Sequence, residues 1–251
     1  MTGSPSLPAA YELIVYEAID SVVEEAKRLA VKGAEEGTIV WAKQQTAAQG
    51  RLGRPWLSPP GNLQCAIILR LDDPPDVATQ VMYVAAVSLA AAIANLVMPQ
   101  TELRFRWPND VLLYDAKAAG LWLHAADVQD GVYPWLVLGV GVNVDNFPAE
   151  TEQPVTSMRF EGGADTSAGE LLEIFSRHFL SWINRWAEEG FSTLQRAWSL
   201  RPNGLGQPMT LRLKSETLDG TFAAVADEGS IIVELVDKQE RRVSIREFFD
   251  I

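Results

Sequence analysis

Residues 77–98 contain no Asp, Glu, Lys or Arg, and an uncharged run of that length must either cross a bilayer or lie in the middle of a folded core. Its composition selects burial. The segment is rich in Ala and holds Gln80 and Asn95. Its flanks carry Asp72, Asp73, Asp76 and Glu102 rather than the Lys/Arg clusters that orient membrane spans. The rest of the chain can build the surrounding core, since 47% of its 251 residues are hydrophobic and eight are Trp, too much apolar surface for a disordered chain. No membrane association is expected.

With 33 acidic and 21 basic residues the formal net charge is −12, which argues against a nucleic-acid-binding face and requires any anionic ligand to meet a local basic site. Cys65 is the single cysteine, so a disulfide framework and a multi-cysteine metal site are excluded. With no signal-peptide pattern in the first twelve residues, a reducing, cytoplasmic setting is expected.

The first periodic element begins at Ser21. Ser21 and Glu24 stand at capping-box spacing, and Val22, Ala26, Leu29 and Ala30 recur at helical intervals as far as Gly33. Strands are expected at 38–42 and 63–71, the second with Leu63, Cys65, Ile67 and Leu69 on one face, which makes Cys65 a core residue. Between them runs a polar loop, residues 43–62, of a length that is usually functional or disordered. After the apolar helix, strands at 103–107 and 111–114 are joined through Pro108-Asn109-Asp110. A turn at Asp115-Ala116 leads to a strand at 121–125, and residues 133–144 are β-rich. Leu171, Leu172, Phe175, Phe179, Trp182, Ile183 and Trp186 mark one face of a long helix, with a partner helix from about Phe191 to Ser199. Pro202, Gly204 and Gly206 make 201–206 a linker. Beyond it, short strands at 209–213, 221–225, 230–235 and 242–245, separated by Asp219-Gly220 and Glu228-Gly229, predict a small β-barrel or sandwich. The organisation read from the sequence is an α+β domain (1–200), a linker (201–206) and a β module (207–251).

Chemistry concentrates in three places. In the long loop, Gly50 and Gly53 alternate with Arg51 and Arg54, a pattern that serves either a phosphate cradle or a solvated glycine turn. Around the Pro-Asn-Asp turn, Arg106 and Lys117 bracket Asn109 and Asp110, so two cations and a carboxylate able to bind a metal can converge from adjacent strand ends. The third piece is Gly139-Val140-Gly141-Val142-Asn143, whose Gly-x-Gly alone does not define a dinucleotide site. His124 and His178 have no place in any of these patterns.

The five ordered segments, Gln45 to Trp56 with Ser58-Pro59, Gly61-Asn62-Leu63, Arg106 to Asp110, Lys117 to Gly120 and Gly139 to Asn143, resemble those of biotin protein ligases across most of the chain. The resemblance implies a class II synthetase-like α+β fold, a mixed β-sheet with packed helices, followed by a small SH3-like β-barrel. Because the similarity to the catalytic domain begins near Tyr11, no N-terminal DNA-binding domain is expected. It implies a two-step reaction: biotin and ATP give biotinyl-AMP and pyrophosphate, and a lysine of a carrier protein, such as the biotin carboxyl carrier of acetyl-CoA carboxylase, then takes the acyl group. Such steps develop charge on phosphate oxygens, which fixed cations and Mg²⁺ stabilise without an enzyme nucleophile. By motif position, Lys117 and Arg51 would be catalytic. Ser21, Gln45, Gly61, Asn62, Leu63 and Gly120 would bind biotin. Gly50, Gly53, Arg54, Trp56, Arg106, Asn109, Asp110 and Asn143 would bind ATP, with Asp110 also the candidate metal ligand. A homodimer through sheet edges near the Gly139 strand is an open arrangement. Five positions depart from the family pattern: Val22-Val23 follow Ser21 in place of Thr-Asn, Ala48-Gln49 replace Gly-Arg, and Arg106 replaces Lys. A lipoate or octanoate ligase and a non-catalytic acyl- or nucleotide-binding relative are the competing readings.

Overall fold

In the computed structural model, which describes residues 5–163 and 165–251, the chain opens with a strand not expected from the sequence, β1 (Glu12–Tyr16). It is a half-exposed edge strand that, among the described residues, pairs in parallel with β2 (Thr38–Ala42) alone. Helix α1 (Val22–Val31) makes the crossover between them. Ser21 caps α1, its side chain accepting from the Glu24 backbone N–H at 3.4 Å.

The central strands follow. β3 (Leu63–Leu69) is buried along its whole length. Its odd-numbered side chains, Cys65 among them, enter the main core, while Ala66 and Ile68 face α1. The uncharged run divides into α2 (Pro75–Ala78) and α3 (Val81–Ala94), broken at Thr79 and Gln80 rather than forming one helix. Gln80 is satisfied there, accepting from the Trp186 indole and donating to the Glu228 carbonyl. Twelve of the fourteen α3 residues are buried, so its apolar surface is used by the protein's own interior.

β4 (Leu103–Arg106), β5 (Asp110–Leu113), β6 (Ala116–Ala125) and β7 (Leu136–Val142) complete a seven-stranded sheet ordered β1-β2-β3-β7-β6-β5-β4. β6 begins five residues earlier than expected: it starts directly after a hairpin turn at Tyr114 and Asp115, both at positive φ, and residues 116–120 pair with β5. The Gly139 strand, β7, lies between β3 and β6, so it offers no free edge for pairing two subunits. Helices α4 (Ala168–Glu189) and α5 (Phe191–Trp198) pack with α3 over one face of the sheet, and α1 covers the other.

The C-terminal module is an antiparallel sheet, β11-β10-β9-β8, made of β8 (Pro208–Arg212), β9 (Thr217–Val225), β10 (Ile231–Leu235) and β11 (Glu240–Val243), followed by a short helix α6 (Ile245–Phe249). Asp219-Gly220 lies inside β9 instead of forming a turn; the chain reverses at residues 213–216, where the Leu213 N–H donates to Glu216. The expected linker runs beside β4, the Phe105 N–H donating to the Arg201 carbonyl and the Asn203 N–H to the Phe105 carbonyl. Phe222, Ile231, Val233 and Phe248 belong to the same buried cluster as Tyr83, Trp107 and Trp198. Module and larger domain therefore share one core.

His124 lies on β6. Burial, and then the charge of Lys27, hold its imidazole below the ordinary histidine range. The unfolded chain then binds a proton more readily than the folded one, so acidification favours unfolding. Lowering the pH from about 7.5 to about 5.5 is expected to reduce stability, and the reduction should be smaller in His124→Gln. Urea unfolding at both pH values checks this, and an equal loss in the variant would clear His124 of the effect.

Candidate active site

The site is cut into the sheet face beneath α1. Gln64, Gly141 and Gly120 stand opposite one another across β3, β7 and β6, and Ala66, Gly139 and Trp122 form the next row. The glycines remove the Cβ layer that would fill this face: a Cβ on Gly139 would lie 2.7 Å from Val23 Cγ2, and one on Gly141 2.8 Å from the Trp56 ring. Trp56 and Trp122 occupy the resulting trough, edge to face with centroids 4.6 Å apart. Ser21, Val22, Val23, Gln45, Ala48 and Gln49 close its sides, and the space left holds little more than one water molecule.

A polar chain threads the trough. Gln45 Oε1 accepts from the Val22 backbone N–H at 2.8 Å, and its Nε2 donates to Ser58 Oγ at 2.8 Å and to Gln64 Oε1 at 3.3 Å. Gln64 Oε1 also accepts from Trp56 Nε1 at 2.9 Å. The Nε2 of Gln64 is buried with no partner among the described residues.

The cations are arranged by a strand irregularity. Leu112 pairs with Lys117 but Val111 with Ala119, so one extra residue in β6 shifts the alternation and brings Lys117 onto the face of Asp110 and Gly120. Lys117 Nζ lies 2.6 Å from Asp110 Oδ1 and 5.5 Å from the centre of the Trp56 ring. A Cβ on Gly120 would come within 3.2 Å of that ammonium group. Arg106 stands 3.9 Å from the other Asp110 oxygen and donates to Gln153. Asn109 donates its side-chain amide to the Leu121 carbonyl, bracing the turn.

The loop arginines point elsewhere. Gly50 donates to the Arg54 carbonyl and Trp56 to that of Ala48, closing the loop around a single 3-10 turn, Arg51–Gly53, in which Gly53 has positive φ. Arg51 reaches the C-terminal module, donating to the Phe248 and Arg212 carbonyls with its guanidinium 3.9 Å above the Phe248 ring. Burial, then the charge of Arg54, lowers its pKa, although an arginine stays protonated. Arg54 pairs with Glu152 at 3.7 Å.

Several expected ligand-binding side chains are engaged with the protein itself. Asn62 accepts three backbone N–H bonds, from Val144, Asp145 and Asn146, and donates to the Asn146 carbonyl, so it joins two loops rather than facing the trough. Gly61 has positive φ and packs against Asp145. The Leu63 side chain enters the helix-covered core on the far side of the sheet, a correction to its expected substrate role. Asn143 is buried and donates to the Thr156 carbonyl at 3.0 Å. Two residues in the trough, Gln64 and Trp122, were missed from the sequence. Gln64 had a signal, as the one strongly polar side chain in the strand Leu-Gln-Cys-Ala-Ile-Ile-Leu.

A narrow, largely apolar trough with a lysine at one end suits an acid whose carboxylate is presented to cations. The sequence pattern of the biotin/lipoate A/B protein ligase family matches residues 55–200. A biotin–[acetyl-CoA-carboxylase] ligase of Paracoccus denitrificans is 32% identical over 219 residues, covering 85% of this chain and 90% of that protein. The bifunctional ligase/repressor BirA of Bacillus subtilis is 30% identical over 227 residues, 88% of this chain and 69% of its own. The chain belongs to the biotin/lipoate A/B protein ligase family. Among solved structures, the biotin protein ligase of Aquifex aeolicus in complex with biotin and ATP superposes with a TM-score of 0.77 at 22% identity, covering 94% of this chain and 96% of that one. A biotin protein ligase-like protein of unknown function from a Silicibacter strain gives a TM-score of 0.80 at 22% identity, with 98% of each chain covered. These last two show a common fold.

Proposed function

We propose that this chain is an ATP-dependent biotin protein ligase that forms biotinyl-5′-AMP and passes the biotinyl group to a lysine of a carrier protein, in the manner named for its Paracoccus relative. The observation that carries the reading is the placement of Lys117 beside Asp110 and Trp56, at the end of a glycine-floored trough. A biotin carboxylate held there attacks the α-phosphorus of ATP through one oxygen, and pyrophosphate leaves with the electrons of the P–O bond. Lys117 offsets charge on the carboxylate before attack and on the phosphate oxygens as the bond forms. In the second step the carrier lysine's neutral amine attacks the acyl carbon, AMP departs and the amine loses a proton. Closure of the loop bearing Trp56 would keep water from the mixed anhydride.

Magnesium belongs to this proposal as a companion of the triphosphate. No three His, Cys, Asp or Glu side chains among the described residues converge on a metal-sized space, and Asp110 is already compensated by Lys117 and Arg106. The residues thus do not fit a protein-built metal cage, whereas Mg²⁺ commonly keeps water and phosphate oxygens as ligands. A cytoplasmic setting is part of the same reading, supported by a sequence whose single cysteine, Cys65, leaves no internal disulfide framework.

A second reading, ligation of lipoate or octanoate, draws on Val22 and Val23, which line the trough with hydrocarbon. Exchange of labelled pyrophosphate into ATP, run with biotin, lipoate and octanoate in turn, separates the two. Exchange with biotin is expected, and exchange with octanoate or lipoate alone would replace the first reading by the second.

A further inference from the structure

The geometry points to Gln64 as a residue that selects the acid, by pairing its carboxamide with the –NH–C(=O)– edge of a cyclic urea. This rests on the biotin reading above and adds a residue that neither motif position nor composition assigned.

The orientation of Gln64 is fixed by its neighbours. An indole N–H can only donate, so the atom facing Trp56 Nε1 at 2.9 Å is Oε1. Gln45 agrees: its own oxygen is held by the Val22 backbone N–H, which leaves its Nε2 to donate to the same Gln64 oxygen. The Gln64 amide nitrogen is therefore the end without a partner, in a residue only 2% exposed. A buried donor left unsatisfied is costly and marks a place where an acceptor belongs. The group that carries it borders the trough: a Cβ on Gly141 would come 3.1 Å from Gln64 Oε1, so the carboxamide lies over the glycine floor.

Trp56 acts there as a stand-in. Its N–H supplies to Gln64 Oε1 the bond that a urea N–H would supply, and its ring fills the space above Gly141 that a ligand needs. When Trp56 withdraws, Gln64 presents an acceptor and a donor side by side. The N–H and C=O of a cyclic urea present the complementary pair, and two parallel hydrogen bonds close between them. A fatty acid offers neither group. This donor–acceptor pair gives the trough a urea-reading group where Val22 and Val23 supply none.

The experiment measures binding of biotin, dethiobiotin, octanoate and ATP to the full chain and to Gln64→Met and Gln64→Leu by calorimetry, with pyrophosphate exchange run in parallel. Dethiobiotin keeps the cyclic urea and lacks the thioether ring. Both variants are expected to bind biotin and dethiobiotin about 10- to 100-fold more weakly, with ATP and octanoate affinities held within about twofold. Equal weakening of every ligand would make Gln64 a structural residue and overturn the proposal, as would unchanged biotin affinity. If the unaltered protein exchanges pyrophosphate with octanoate but neither binds nor activates biotin, the biotin reading itself fails and the urea pairing falls with it. That outcome differs from the others because it appears before any substitution is made.

Discussion

Replacing Lys117 by alanine is expected to lower the rate of pyrophosphate exchange by about two to three orders of magnitude, the usual cost of deleting a fixed group that stabilises transition-state charge. The side chain supplies positive charge that no neighbour replaces: Arg106 is 3.9 Å from the far oxygen of Asp110, and Arg51 is turned to the C-terminal module. Stability should fall too, because Asp110, with its side chain 11% exposed, loses a partner at 2.6 Å. The loss should be roughly 1–3 kcal/mol, below the figure for fully buried pairs, since Lys117 is itself 21% exposed and Arg106 remains. The double variant Lys117→Ala/Asp110→Asn separates the two effects, recovering stability by urea denaturation while exchange stays low. An unaltered exchange rate in the single variant would remove Lys117 from the mechanism.

Trp198→Ala should cost about 3–5 kcal/mol, at the upper end for a core truncation. Trp198 is 2% exposed, stacks on Phe105 with centroids 5.8 Å apart and meets Tyr83 at 5.7 Å and Phe222 at 6.3 Å. Those partners come from the sheet, the buried helix and the C-terminal module, so one deletion loosens all three. Calorimetry of the variant should show a single transition at lower temperature, because the module has no core of its own to melt separately. Two transitions, with one unshifted, would show instead that the module folds independently and that the shared cluster is only a contact.

The sequence was most legible where periodicity and burial agree. The cap at Ser21, the amphipathic face from Leu171 to Trp186 and the buried row Leu63, Cys65, Ile67 and Leu69 of β3 all follow from residue spacing, whereas the burial of its other face does not. β1 was missed because a five-residue edge strand buries too little to leave a pattern, and α6 because five residues are too few to show a helical period. The site's motifs could be located, but their use could not. Asn62 reads like a ligand-binding amide and turns out to hold three backbone N–H groups. Arg51 reads like a phosphate clamp and lies instead against Phe248. Gln64 stood out only as a polar residue in an apolar strand, and its place, like that of Trp122, was set by the register that puts them beside Gly141 and Gly139. Long-range pairing of this kind is decided by the whole sheet, which no local window contains.

The irregularity in β6 has the largest effect for its size. Along a strand, odd and even positions lead to different media, here the hydrocarbon between sheet and helices or the trough beneath α1. Lys117 and Gly120 are three apart, and simple counting would send them to opposite sides. The surplus residue in this stretch changes the count by one. The lysine's address is thus an arithmetic property of the chain: draw the same residues through this stretch in regular pairing, with no surplus residue, and the ammonium would be delivered to the oily side of the sheet.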